Sequence, residues 1–295
     1  MKFKGIIPAL ITPLCEDRKS VNEAQARKFI EFLIKQGADG FYVLGSTGEG
    51  LVLEEKERMR MLEITVDQVK GRKPIICHTA AMNFSEAIRL SKHAEKAGAD
   101  AISAIPPIFF HYRTEDIYNY YKTLAGSTTL PFIMYNHPSA NGGMNAETVA
   151  KMSEIDNITG VKWTVKNYYE LMRLKDMTHG EMNIINGPDE MLIAGLAAGA
   201  DAGIGTTYNV MLPQYLELYK CFGQGEIDKA REIQYKINRV ITCMIKNELI
   251  SVTKHMCAML GFDIGEATYP LKSIKDSGAV ELEQELKEIG WPFAQ

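Results

Sequence analysis

Short apolar runs and amphipathic helical patterns alternate along the first 224 residues of this chain. The apolar runs, each of which predicts a β-strand, lie at 5–11, 40–44, 74–79, 100–105, 131–136, 158–163, 183–186 and 201–205. The helical patterns lie near 22–36, 54–70, 84–97, 114–125, 145–153, 167–178, 189–198 and 210–222. Strands that are apolar throughout and alternate with helices indicate a parallel sheet covered on both faces. The pattern predicts an α/β fold, a (β/α)8 TIM barrel, with a doubly wound open sheet as the alternative.

The tripeptide Gly-Ala-Asp supports the same alternation of helices and strands. It occurs at 37–39, 98–100 and 199–201, each time between a helical pattern and the apolar run that follows. A glycine at this point is typical of a helix C-cap, where the backbone enters the left-handed region. The spacings correspond to two and three units of about 30 residues, which is the size of a βαβ unit.

The strand pattern stops near residue 224. Helical patterns continue at 225–247 and 250–260, and a last one lies near 281–289. We therefore expect a barrel domain over 1–224 and a C-terminal helical extension over 225–295. Such an extension either covers the barrel or forms a subunit interface.

Charge and composition exclude several classes of partner. The net charge is -4 and no long basic run exists, so the sequence predicts binding to neither nucleic acid nor an anionic membrane. No apolar run approaches the roughly 18 residues of a membrane span, and the N-terminus lacks the features of a signal peptide. The five scattered cysteines indicate reduced thiols in the cytoplasm, and the six histidines form no metal-binding motif.

Lys162 is the most unusual residue within the predicted strands. It lies in the apolar run 158–163, where a cationic side chain is costly unless it is paired or gives up its proton. An unprotonated lysine is a nucleophile for ketones, so the position suggests an enzyme that forms a Schiff base. The alternative is that Lys162 marks the end of the strand and its amine reaches water.

Catalytic side chains of a barrel lie at the C-terminal ends of its strands. Tyr135 ends the fifth predicted strand, next to the strand of Lys162, and a phenol there can relay protons. The alternative for Tyr135 is a half-buried aromatic residue with a solvated hydroxyl. His137, which follows in the loop, is interpreted as a loop residue rather than a base.

The segment Gly45-Ser46-Thr47-Gly48-Glu49-Gly50 follows the second predicted strand. Its glycines permit a tight turn in which backbone N–H groups converge on an anion, and Ser46 and Thr47 add hydroxyl donors. A substrate carboxylate fits such a turn. The alternative is an ordinary βα turn with a Ser or Thr cap.

Polar or glycine-containing segments also follow the seventh and eighth predicted strands. Asp189 and Glu190 either complement a helix dipole or bind the hydroxyls of a polyol. The glycines in 203–209 are compatible with a phosphate site, because the loops after strands seven and eight hold phosphate in many barrels. A barrel enzyme with a phosphorylated substrate is therefore a further hypothesis.

Three segments taken together resemble a known family. Gly45-Ser46-Thr47-Gly48-Glu49, Tyr135-Asn136-x-Pro138 and Gly160-Val161-Lys162, in this order, are similar to the class I pyruvate-dependent aldolases. This family contains N-acetylneuraminate lyase and dihydrodipicolinate synthase, and the resemblance covers the whole chain. It implies a barrel that assembles as a homotetramer and needs no cofactor beyond a covalent imine with Lys162. It also implies that Tyr135 shuttles protons, that Ser46 and Thr47 bind the carboxylate, and that Thr47 joins the proton relay.

Further segments resemble the neuraminate lyases within that family. The similarity lies in Lys162-Trp163-Thr164, in Gly187-Pro188-Asp189-Glu190 and in 205–209. It implies a substrate-binding set that comprises Ser46, Thr47, Thr164, Gly187, Asp189, Glu190, Gly205 and Thr206. The implied reaction is the cleavage of a 2-oxo sugar acid, N-acetylneuraminate, to pyruvate and N-acetylmannosamine.

Departures from the family pattern keep other substrates open. Dihydrodipicolinate synthases carry an arginine where this chain has Ala140, and alanine cannot grip a carboxylate as a guanidinium does. Pro188 replaces an aromatic residue of the lyases, and Phe109 or Phe110 replaces a tyrosine. Phenylalanine donates no hydroxyl proton, so the expectation is either an altered relay or a relay that uses Tyr112. The segment 139–143 also differs from the lyase pattern. The alternatives are therefore the synthase, an aldolase or dehydratase of 2-keto-3-deoxy sugar acids, and a non-enzymatic sensor of 2-oxo acids.

Overall fold

A computed structural model describes residues 2–140, 142–274 and 278–292, and it shows eight parallel strands arranged as a barrel. The strands are β1 (Gly5–Pro8), β2 (Phe41–Val43), β3 (Ile75–His78), β4 (Ala101–Ala104), β5 (Phe132–Asn136), β6 (Ile158–Trp163), β7 (Asn183–Asn186) and β8 (Ala202–Gly205). Neighbouring strands follow sequence order from β2 to β8, and β8 pairs with β1. The barrel closes where Ala9 bridges Tyr42 and the Leu10 amide donates to the Tyr42 carbonyl at 2.8 Å.

The helices alternate with the strands, so the predicted (β/α)8 fold is confirmed. They are α1 (Glu23–Gln36), α2 (Glu55–Val69), α3 (Phe84–Ala97), α4 (Thr114–Ala125), α5 (Ala146–Met152), α6 (Tyr168–Met177), α7 (Leu192–Ala197) and α8 (Tyr208–Gly223). The helix predicted over 189–198 differs, because a separate 3-10 turn, Asp189–Met191, precedes α7. The side-chain amide of Asn186 donates to the Pro188 carbonyl at 2.8 Å just before the turn. Met191, with φ of -129° and ψ of 23°, lies outside the helical region and separates the turn from α7.

The three Gly-Ala-Asp segments make the same structure at the N-terminal end of the barrel. Gly37, Gly98 and Gly199 all have φ between 95° and 102° and follow the ends of α1, α3 and α7, as the sequence predicts. The aspartates have a role that the sequence analysis did not foresee. Asp39, Asp100 and Asp201 accept hydrogen bonds from the amides of Ile6, Ile75 and Ile184, at 2.8, 2.8 and 3.0 Å. Each carboxylate thereby binds the amide of a residue in the first two positions of a strand.

Within the described part of 225–295, three further helices form the C-terminal extension. They are α9 (Ile227–Met244), α10 (Leu249–Met259) and α11 (Ala279–Ile289). α9 packs against α7, α8 and the 3-10 turn, α10 packs against α8 and α9, and α11 packs against α9. The extension therefore covers the barrel beside its seventh and eighth units. Within the described ranges, no helix combines the length and the apolar character that crossing a bilayer requires.

Candidate active site

Lys162 lies inside the barrel on β6, directly beside Tyr135 on β5. The two residues are register partners across the parallel ladder. The Lys162 side chain is only 5% exposed, so its amine does not extend into bulk water. Its Nζ atom lies 4.1 Å from the centroid of the Tyr135 ring and 4.6 Å from that of Tyr42. The pairing of Lys162 with Tyr135 that the strand order predicts is therefore present.

The side chains of Tyr42, His78 and Ser103, which were not among the predicted site residues, complete the interior around this lysine. The rings of Tyr42, His78 and Tyr135 lie 6.0 to 6.2 Å apart, and the Tyr42 hydroxyl lies 3.0 Å from the Ser103 hydroxyl. Each of the missed residues is polar and sits within an otherwise apolar strand. A buried polar group is costly without a partner, so these three positions carry the same sequence signal as Lys162.

Burial keeps both nearby histidines neutral at pH 7. Burial and the charges of Arg58 and Lys162 lower the pKa of His78 to about 3. Burial and the charge of Lys162 lower the pKa of His137 to about 4. His137 Nδ1 accepts from the Ser139 amide at 3.1 Å, and its ring lies 5.4 Å from that of Tyr135. His137 is therefore a half-buried neighbour of the Tyr135 ring, as well as a loop residue.

The turn after β2 reaches across the mouth of the barrel to the turn after β8. The hydroxyl oxygens of Thr47 and Thr206 lie 2.6 Å apart, which joins two residues predicted separately from the sequence. Thr47 is buried, whereas Ser46 is exposed. The carbonyl of Gly48 accepts a hydrogen bond from the buried hydroxyl of Thr12 at 2.7 Å, which fixes the far side of the turn.

Two glycines of the candidate site stand where a side chain has no room. A Cβ on Gly187 would overlap the Thr164 side chain, and a Cβ on Gly205 would overlap the Asp189 carboxylate. Within the described part of the chain, the buried Thr164 hydroxyl has no hydrogen-bond partner. Both glycines are thus needed for close approach between neighbouring strand ends.

The Asp189 carboxylate is buried and bound by Thr207. One of its oxygens accepts from the amide and from the hydroxyl of Thr207, each at 2.7 Å, and that hydroxyl also lies 2.6 Å from the Tyr215 hydroxyl. Burial raises the pKa of Asp189 to about 6, although the hydrogen bonds from Thr207 oppose the shift. The carboxyl group therefore titrates much closer to neutrality than an exposed aspartate does.

Glu190 lies nearer to solvent and is paired with a cation. Its carboxylate is 2.8 Å from the ammonium of Lys166, with the two side chains 33% and 68% exposed. The backbone carbonyls of Asp189 and Glu190 accept hydrogen bonds from Gln234 and Asn238 of α9, at 3.2 and 3.1 Å. The helical extension thus holds the loop that carries both carboxylates.

The two phenylalanines of the loop after β4 lie at the protein surface. Phe109 has φ of +87° and is 84% exposed, while Phe110 is 64% exposed. Phe110 and Tyr112 line a cleft of about 420 Å³ between this loop, α3 and α4, and none of the predicted site residues lines it. Among residues 2–140, 142–274 and 278–292, no group of three His, Cys, Asp or Glu side chains could hold a metal ion.

Known proteins resemble this chain over its full length. The profile of the dihydrodipicolinate synthetase family matches residues 2–289. The N-acetylneuraminate lyase of Rhizobium meliloti (strain 1021) is 33% identical over 289 residues, which cover 98% of this chain and 96% of that protein.

Solved structures agree in fold. The sialic acid aldolase of Ruminococcus gnavus superposes with a TM-score of 0.92 at 29% identity, with 100% of both chains covered, and a second structure of that enzyme is described as its catalytic lysine mutant. A dihydrodipicolinate synthase of Bacillus anthracis superposes with a TM-score of 0.93 at 25% identity, again over 100% of both chains. The family match and the barrel with its extension lead to one conclusion: the chain belongs to the dihydrodipicolinate synthetase family.

Proposed function

We propose that this chain cleaves N-acetylneuraminate to pyruvate and N-acetylmannosamine through a Schiff base at Lys162. The family and its lyase relatives establish the broader class, a pyruvate-dependent aldolase-type lyase. The observation that carries the Schiff-base assignment is the burial of Lys162 against the Tyr135 ring at the C-terminal end of β6. The curated relative that supports the substrate is named N-acetylneuraminate lyase.

The proposed reaction begins at the ketone carbon of the 2-oxo acid. The Lys162 amine bonds to that carbon and the carbonyl oxygen leaves as water, which gives a protonated imine. The imine withdraws electrons from the bond between the third and fourth carbons as the hydroxyl on the fourth carbon loses its proton. The aldehyde leaves, the remaining enamine takes up a proton on carbon, and water releases pyruvate. Tyr135 and Thr47 are the proposed proton relay, and no cofactor is required.

The remaining predicted residues divide between the two halves of the substrate. Ser46 and Thr47 are proposed to bind the carboxylate, since their turn combines hydroxyl groups with a backbone folded by glycines. The proposed contacts to the sugar hydroxyls come from Thr164, Gly187, Asp189, Glu190, Gly205 and Thr206. The buried Thr164 hydroxyl, which has no hydrogen-bond partner among the residues that the structure describes, supports this assignment. Such a hydroxyl is costly until a ligand supplies a partner.

The second candidate is the synthase reaction, the condensation of pyruvate with an aspartate-derived semialdehyde. A synthase from Bacillus anthracis shares the fold, but Ala140 is buried where the synthases carry an arginine. A 2-keto-3-deoxy sugar acid remains the other alternative, since Pro188 departs from the lyase pattern.

A substrate panel with pyruvate as the readout tests the proposal. The panel contains N-acetylneuraminate, a 2-keto-3-deoxy sugar acid and its phosphorylated form, each assayed by the release of pyruvate. It also contains the aspartate-derived semialdehyde, for which the consumption of pyruvate is measured. We expect the highest kcat/KM on N-acetylneuraminate. A higher value on the semialdehyde or on a phosphorylated acid would replace the proposed substrate, and binding without any turnover would indicate a sensor.

The pKa of Asp189 gives a prediction for pH dependence. Since the folded-state pKa is about 6, the group is a carboxylate above that pH and becomes protonated as the pH falls through it. A protonated Asp189 accepts hydrogen bonds from sugar hydroxyls less well, so KM for the sugar acid should rise between pH about 7 and 5. The Asp189→Asn variant should show a higher KM that no longer changes over this range. A pH profile of KM that is the same in both proteins would contradict the contact.

We also propose that the chain forms a homotetramer in the cytoplasm. The Phe109 and Phe110 rings are exposed and contact each other, and an apolar patch of this kind supports self-association. All five cysteines are free, which supports a reducing compartment. Sedimentation velocity on the wild type and on Phe110→Ser measures the assembly, and a monomeric wild type would contradict it.

A further inference from the structure

A buried ion pair joins the helical extension to the turn after β2. The Lys254 ammonium on α10 lies 2.8 Å from one carboxylate oxygen of Glu49, and both side chains are 2% exposed. The other oxygen accepts hydrogen bonds from the amide and the hydroxyl of Thr268, at 2.6 and 2.7 Å. Lys254 also donates to the Glu266 carbonyl at 2.9 Å. The two charges are therefore paired and hydrogen-bonded, which is the condition under which buried charges are tolerated.

The backbone of Glu49 needs this support. Its φ of +56° lies in the left-handed region, which a residue other than glycine adopts when its surroundings hold it there. The Glu49 amide donates to the Ser46 carbonyl at 3.1 Å, and the Gly50 amide donates to the Gly45 carbonyl at 3.1 Å. The conformation of Glu49 thus determines where Ser46 and Thr47 lie.

We propose that Glu49 and Lys254 are positioning residues that hold the Ser46-Thr47 turn in the geometry that binds the substrate carboxylate. The inference rests on the proposed function, because it takes this turn as the carboxylate site. Both side chains are buried away from solvent, so they act through the backbone of the turn and not by contact with the substrate. Gly45, Gly48 and Gly50 leave that backbone many conformations, and the anchored Glu49 removes most of them.

Two ketones distinguish a positioning role from a structural one. Pyruvate and acetone each form an imine with Lys162, in which nitrogen bonds to the carbonyl carbon and oxygen leaves as water. Borohydride then delivers hydride to the imine carbon, and solvent supplies the proton on nitrogen. Only pyruvate carries a carboxylate. The ratio of trapping rates for pyruvate and acetone is read by mass spectrometry of the Lys162 peptide. The two ketones differ in intrinsic reactivity by a factor that is the same for every variant, so a change in this ratio between variants reports on the carboxylate site.

The variants to compare are Glu49→Gln and the double variant Glu49→Gln/Lys254→Met. We expect the preference for pyruvate over acetone to fall about tenfold in both, the effect of losing one hydrogen bond to a charged group. Glu49→Gln leaves the Lys254 ammonium buried without its counter-ion and is the variant at risk of not folding. The double variant removes both charges at similar volume, so it tests the positioning role if Glu49→Gln does not fold.

Lys175→Met is the matched control. It breaks another lysine–carboxylate pair, Lys175 with Asp201 at 3.0 Å, at the opposite end of the barrel. We expect a lower Tm and an unchanged ketone preference. An unchanged preference in the folded Glu49 variants, or an equal loss in Lys175→Met, would overturn the positioning role. A wild type that traps neither ketone would instead contradict the proposed Schiff base.

Discussion

Replacing Lys162 with arginine should lower kcat by roughly 10⁴-fold or more, the scale of loss when a covalent nucleophile is removed. A guanidinium stays protonated and cannot form the imine. In the wild type, pyruvate and borohydride should add to Lys162 the mass of pyruvic acid less one oxygen. The variant should gain no mass at this position.

The surroundings of Lys162 make this substitution informative. The amine lies against the rings of Tyr135 and Tyr42, so arginine keeps a cation over two aromatic faces and retains much of the packing. An unchanged circular dichroism spectrum and a similar Tm would show that the barrel remains folded. Turnover within tenfold of the wild type, or an adduct on a different lysine, would refute the assignment of Lys162.

Replacing Tyr135 with phenylalanine should lower kcat by about 10²- to 10⁴-fold, the contribution typical of a positioned proton-transfer group. The variant keeps the ring that packs against Lys162, Tyr42 and His78, and it removes only the hydroxyl. Borohydride should still trap pyruvate on Lys162, because the nucleophile remains. Steady-state kinetics and the trapping assay together separate loss of proton relay from loss of the imine.

Tyr42→Phe is the matched control for this prediction. Its ring also contacts the Lys162 amine, at 4.6 Å, but its hydroxyl lies 3.0 Å from the Ser103 hydroxyl. Loss of one such neutral hydrogen bond should lower kcat by less than about tenfold. If Tyr42→Phe were as damaging as Tyr135→Phe, the relay could not be assigned to Tyr135.

The sequence predicted the barrel because each unit repeats a local pattern. Apolar runs fix the strands, and strand order then places Tyr135 beside Lys162, since consecutive units are neighbours in this fold. One predicted helix begins later than its pattern indicates, at Leu192. The run 189–198 has helical composition, yet Met191 leaves the helical region, with φ of -129° and ψ of 23°, and separates a 3-10 turn from α7.

Other parts of the site depend on contacts that no local pattern reveals. Thr47 meets Thr206 and Glu49 meets Thr268 across separations of 159 and 219 residues. Lys166 was not selected as the partner of Glu190, because a lysine in a polar loop has no distinctive sequence context. Tyr42, His78 and Ser103 could have been selected, since each interrupts an apolar strand as Lys162 does.

The Glu49–Lys254–Thr268 network has a consequence for how the protein matures during synthesis. The turn that contains Glu49 leaves the ribosome early, but its partners emerge only after about nine tenths of the 295 residues have been made. A nascent chain that already contains all eight strands still lacks the anchor of the turn at the mouth. We therefore expect competence to bind a 2-oxo acid to arise late in translation, after all eight strands have been made.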